Sequence, residues 1–198
     1  FGTISPTPFP LTATPIVSTP TTSNTYYVAT TGSDTNPGTL NLPWQTIQMA
    51  ANTVKQGDTI LIQEGNYNER VTIKHSGTAD APITFQAQGS VSTQGFTILA
   101  NYITIRGFDV TNTPDNQQNG IGIFVQGNNC ILENNYIHYA TRGGIHLNAL
   151  SNSCSVLSNK LYRNAHYGMD VRGQNHLIEG NEIWGTIQYH PNWINPPL

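Results

Sequence analysis

At 198 residues and 37% apolar content, the chain can bury one sizeable core, so a single domain with a tail is the expected organisation. Only 10% of residues are charged, and 8 Lys and Arg against 11 Asp and Glu leave a formal charge of −3. Nothing there forms a basic stripe for phosphates, which excludes nucleic acid as an expected partner. No apolar run approaches the roughly 20 residues of a membrane-spanning helix, so no membrane span is expected.

Residues 1–25 hold five of the twelve prolines, Pro6, Pro8, Pro10, Pro15 and Pro20, among Thr and Ser. That composition predicts an extended tail or linker, or a strap lying along the body through Phe9, Leu11, Ile16 and Val17. Residues 26–198 form the expected domain, with Leu198 open as a natural end or a truncation point. Tyr26-Tyr-Val-Ala29 alternates like a strand, and Gly32-Ser-Asp-Thr-Asn-Pro-Gly38 is a loop by its turn residues. Between Pro43 and Lys55 the helical spacing of Ile47, Ala50, Ala51 and Val54 predicts a short amphipathic helix closed by Gly57. Strands follow at 58–67 and 69–74, with Ile60, Ile62, Val71 and Ile73 inward and a corner at Gly65-Asn-Tyr67 between them. Further strands are expected at 82–87 and 95–99.

The second half repeats itself. Segments 101–110, 128–137, 152–161 and 174–183 align without a gap, so that Ile105, Leu132, Val156 and Ile178 share one column. Val110, Ile137, Leu161 and Ile183 share another, and the first column recurs at intervals of 27, 24 and 22 residues. A second strand recurs in each unit as Gly122-Ile-Phe-Val125, Gly144-Ile-His-Leu147 and Gly168-Met-Asp-Val171. Such periods belong to stacked β-coils, in which equivalent strands pair in parallel. The expected fold is therefore all-β, a right-handed parallel β-helix whose short N-terminal helix caps the open end.

Columns also place polar groups together. Asn135, Asn159 and Asn181 form an expected structural ladder, their amides bonding along the stack. Cys130 and Cys154 fall in one column, where backbones about 4.8 Å apart suit either a disulfide or two buried thiols. His146 and Asp170 are neighbours on the outward side of the second strand, flanked by Arg142, Arg172 and His166. Lys160 shares its column with Glu182, which predicts an exposed ion pair. Trp184, Tyr189 and Trp193 make a sugar-stacking platform or an end closure.

The run Tyr26-Tyr-Val-Ala-Thr-Thr-Gly-Ser-Asp-Thr-Asn-Pro-Gly-Thr39, with Pro43-Trp-Gln-Thr-Ile-Gln48, Gly57-Asp-Thr-Ile60, Gly65-Asn-Tyr-Asn-Glu69 and Ala81-Pro-Ile-Thr84, resembles the opening of secreted pectate-lyase-like β-helix proteins. The nearest group is the family 9 polysaccharide lyases. The resemblance implies an extracellular or cell-surface protein acting on polysaccharide by β-elimination of uronic-acid polymers, with calcium on the substrate carboxylate and a Lys or Arg base. It transfers no catalytic or metal-binding residue to this chain, because the sequence ends where the family's calcium-binding aspartates are expected. The substrate-contact candidates are His146, Asp170, Arg172, Arg142 and Trp193, toward an acidic or neutral polysaccharide. A non-catalytic surface protein that binds glycans or associates end to end is the competing reading.

Overall fold

The computed structural model describes residues 23–116 and 118–186. Trp193, Tyr189 and most of the Thr/Pro-rich segment lie outside the described residues. In chain order the elements are β1 (Thr25–Val28), α1 (Ile47–Thr53), β2 (Thr59–Tyr67), β3 (Val71–Ile73), β4 (Ile83–Thr93), β5 (Phe96–Ile98), β6 (Ile103–Arg106) and β7 (Asp109–Val110). A 3₁₀ turn at Gln118–Gly120 leads into β8 (Ile121–Val125), followed by β9 (Ile131–Glu133), β10 (Tyr136–His138), β11 (Gly143–Leu147) and β12 (Ser155–Leu157). The last described elements are β13 (Lys160–Tyr162), β14 (Tyr167–Val171), β15 (Leu177–Glu179) and β16 (Glu182–Trp184).

Every strand pair among these is parallel, and each strand lies beside its equivalent from the next coil. One sheet runs β14-β11-β8-β5-β3; the other runs β15-β12-β9-β6-β4 and continues as β4-β7-β10-β13-β16. The two halves of that larger sheet meet because β4 is long enough to pair with β6 at its start and β7 at its end. The solenoid read from the repeats is therefore the fold. Ile105 pairs with Leu132, Leu132 with Val156 and Val156 with Ile178, as the columns require.

Stacking turns these columns into the core. Ile105, Leu132, Val156, Val110, Ile137, Leu161, Ile123 and Ile145 are all fully buried. Each such side chain contributes about 1.5–3 kcal/mol by leaving water. In the last described coil the same columns are exposed, at 42% for Ile178 and 49% for Ile183.

At the other end α1 packs on β3 and buries Ile47, Ala50 and Ala51. The helix is shorter than its apolar spacing suggests. Val54 takes up extended backbone, so the apolar face runs one residue beyond the last helical turn. Its start is held twice. Thr46 Oγ1 accepts the Met49 N–H at 3.1 Å, and the Glu69 carboxylate accepts those of Ile47 and Gln48 at 2.7 and 3.0 Å. Those donors are the groups a helix start leaves free, and a carboxylate there also meets the positive end of the helix dipole. Asp34 ties the preceding loop to the same place, accepting from the backbone of Gln45 and Thr46.

The corner expected at Gly65-Asn-Tyr67 is not a break. β2 runs through it to Tyr67 and absorbs the bend as a register shift against β4 between Gln63 and Gly65.

Asparagines hold the stack inside. Asn159 Oδ1 accepts the Asn135 N–H and side-chain amide at 3.0 and 2.9 Å, and its Nδ2 donates to Leu132 O at 2.9 Å. Asn181 repeats the pattern below it, and Asn135 repeats it above toward Phe108 N–H. Asn164 does the same at another corner, taking Ala140 N–H and giving to Ile137 O.

Cys130 and Cys154 are neighbours in the stack and stand as buried free thiols. The Cys130 Sγ donates to Ala100 O and the Cys154 Sγ to Gly127 O, each at 3.4 Å. Contact with Cys154, together with burial, pushes the Cys130 thiol up. Thiol titration without reductant is expected to find both groups only after denaturation; a denatured chain that yields neither is cross-linked instead.

Candidate functional site

The outward face of β8, β11 and β14 forms one wall of an open groove of ≈ 650 Å³. Successive coils put Phe124, His146 and Asp170 in register across it. Phe124 and His146 stack with ring centroids 5.3 Å apart and planes 14° from parallel. His146 Nδ1 lies 3.1 Å from Asp170 Oδ2, and Arg172 Nη2 meets the same oxygen at 3.0 Å. Arg142 leads into β11 and lines the same groove, with no carboxylate partner among the described residues.

Tyr167 completes the cluster, its hydroxyl 3.3 Å from His146 Nδ1. It reaches there because β14 pairs Tyr167 with Gly143 of β11, and a Cβ at Gly143 would overlap the tyrosine ring. Gly120 likewise leaves room for the Arg142 stem, since its Cβ would lie 2.7 Å from Arg142 Cγ. The repeat columns bring out His146 and Asp170 but not Tyr167. The signal was an aromatic aligned with a glycine one coil earlier, which reads as nothing until the coils are stacked.

Arg70 braces the turn and strand that open onto the groove. Its guanidinium donates to the carbonyls of Gln94, Phe96, Asn119 and Ile121 and to the Thr97 hydroxyl, at 2.6–3.3 Å. Asn119 and Ile121 belong to the turn and strand that open onto the groove. Burial lowers the Arg70 pKa to about 10, which leaves the group charged at neutral pH.

Electrostatically, Arg142 and Arg172 face Asp170 across a protein whose overall formal charge is −3. The groove is thus a cationic spot on an acidic molecule, with His146 8% exposed. Burial lowers the His146 pKa below its ordinary value, opposed by the neighbouring Asp170. An ionised Asp170 is the stronger acceptor for the Nδ1 proton, which leaves Nε2 as the free lone pair.

The other candidates lie elsewhere. Lys160 sits on the larger sheet, in register with Glu182, but the two form no ion pair among the described residues. On that sheet Tyr139, Tyr162 and Trp184 meet edge-on or tilted, so their faces make no flat platform.

The matching family model, Pel9A-like, right handed beta helix region, covers residues 26–183. The chain belongs to the Pel9A-like right-handed β-helix family. Pectate lyase L of Dickeya chrysanthemi is 27% identical over 168 residues, which is 72% of this chain and 38% of that protein. Pectate lyase PEL9 of Emericella nidulans is 40% identical over 63 residues, 31% of this chain and 15% of the lyase. The crystal structure of pectate lyase Pel9A superposes with a TM-score of 0.67 at 23% identity, covering 81% of this chain and 48% of that one. The chain thus spans less than half the length of each of these three relatives.

Family membership raises the question of calcium. That ion takes about six to eight oxygen ligands, with several carboxylates among them. Among the described residues lining the groove Asp170 is the one carboxylate, and its oxygens already face Arg172 and His146. Among the described residues no three His, Cys, Asp or Glu side chains stand together as a metal site. The described residues therefore do not fit calcium.

Proposed function

We propose that this Pel9A-like β-helix binds an acidic polysaccharide of the pectate type in the groove over β8, β11 and β14. The single observation that supports it most is the pair Arg142 and Arg172 lining a groove on a net-acidic protein. A guanidinium meets a carboxylate with two parallel hydrogen bonds, so a uronic-acid chain is the polymer whose charge and shape suit this wall. Phe124 is 5% exposed and stacked on His146, so it backs the wall behind these polar groups. The pectate lyases among the relatives support the substrate class, and the parent activity we assign is polysaccharide lyase chemistry on such polymers. An extracellular or cell-surface location goes with that reading, since the polymer lies outside cells.

Affinity electrophoresis or calorimetry with polygalacturonate tests it. Binding is expected to weaken with salt and to fall about tenfold or more in Arg142→Ala, because a charge-assisted hydrogen bond is worth about 1.5–3 kcal/mol. Equal retention by uncharged polymers such as dextran would rule the reading out.

A further inference from the structure

The groove that does not fit calcium nevertheless holds the parts of a proton-transfer site. β-Elimination needs a base beside the carbon that bears the carboxylate, an acid at the departing glycosidic oxygen, and positive charge on the carboxylate while the carbanion character develops. His146, Tyr167 and Arg142 supply those three kinds of group in one groove. Resting on the acidic-polysaccharide reading above, we propose that His146 and Tyr167 carry out metal-independent β-elimination on a uronate residue held there by Arg142.

The step balances without a further reactant. His146 Nε2 takes the proton from the carbon next to the carboxylate, and the electron pair of that C–H bond becomes the new C=C bond. The neighbouring C–O bond breaks, its pair goes to the glycosidic oxygen, and that oxygen takes the Tyr167 proton. The products are an unsaturated uronate and a shortened chain. The imidazolium formed then returns its Nδ1 proton to the tyrosinate across the 3.3 Å contact, and exchange with water restores the tautomer.

Asp170 acts through His146 as a positioning residue. Its carboxylate accepts from Nδ1 and so leaves the lone pair on Nε2, for which no hydrogen-bond partner is found among the described residues. Phe124 packs on the imidazole face and Gly143 seats the tyrosine ring, which fixes the relation of base to acid. The charged and titratable groups facing His146 are Arg142 ahead of β11, Tyr167 and Asp170 on β14, and Arg172 just beyond it. Burial favours neutral imidazole, so the base stays available below the ordinary histidine pKa of about 6.5.

The full chain, incubated with polygalacturonate or alginate in excess EDTA, is expected to accumulate the ultraviolet-absorbing unsaturated uronate. His146→Gln and Tyr167→Phe are each expected to slow it by about 10²–10⁴-fold while retaining the polymer in affinity electrophoresis. Tyr167→Phe keeps the ring on Gly143, so it remains informative if the histidine variant folds poorly. Asp170→Asn removes a charge that raises the His146 pKa, and is expected to move the acidic limb of the rate profile to lower pH. Binding without product in EDTA, product only on adding calcium, or unchanged rates in both variants would overturn the proposal alone. Absence of binding as well would overturn the polysaccharide reading beneath it.

Discussion

Asn159→Leu is expected to lower unfolding free energy by about 3–5 kcal/mol, a large share of the about 5–15 kcal/mol available to a domain. Leucine has the same number of side-chain heavy atoms as asparagine and a larger volume, so the loss does not come from a cavity. It comes from the partners left behind. The Asn135 N–H, the Asn135 side-chain amide and Leu132 O all lose their acceptor or donor, and residues 135 and 159 are almost wholly shielded from water. A buried group without a partner costs about 1–3 kcal/mol, and the costs overlap because the groups are adjacent. Asn181→Leu, in the half-buried last described rung, is the control and is expected to lose less. Urea denaturation of the three proteins measures this directly. Equal stabilities would mean that apolar columns alone hold the coils in register.

Arg70→Met is expected to cost about 3 kcal/mol or more, comparable with breaking other buried charge networks. The methionine keeps the apolar stem but abandons four carbonyls and a hydroxyl that the guanidinium joins across three coils. Arg70→Lys is expected to recover only part of that, because a point ammonium cannot span acceptors arranged around a planar fork. The loss also reaches the groove, since two of those carbonyls belong to Asn119 and Ile121 at its rim. Hydrogen exchange is expected to quicken at residues 119–123 more than on β9 or β12, whose ladder hydrogen bonds do not involve Arg70. Uniform protection across the solenoid in Arg70→Met would remove the link between this arginine and the groove wall.

The described residues of the groove do not fit the calcium that the resemblance implies. The resemblance implies a metal-assisted lyase, whereas Asp170 in the groove is engaged by Arg172 and His146 and has no acidic neighbour there among the described residues. The chain spans 48% of the crystallised Pel9A, so the activity of that whole protein is a proposal for this one and not an inheritance.

The sequence by itself determined the winding. A period of 22–27 residues brings like residue to like in neighbouring coils, so Ile105, Leu132 and Val156, or Asn135 and Asn159, could be paired from spacing alone. His146 and Asp170 were legible for the same reason, as one column with two chemistries. Tertiary structure alone decided what crosses between columns. Tyr167 joins the groove because Gly143 in the preceding coil lacks a Cβ, and a missing atom leaves no mark in a pattern of side chains. Arg70 recognises backbone carbonyls 24 to 51 residues away, which every residue carries and no composition can single out. Spacing dictates neighbours along the stack; only packed coordinates say which way each polar group turns.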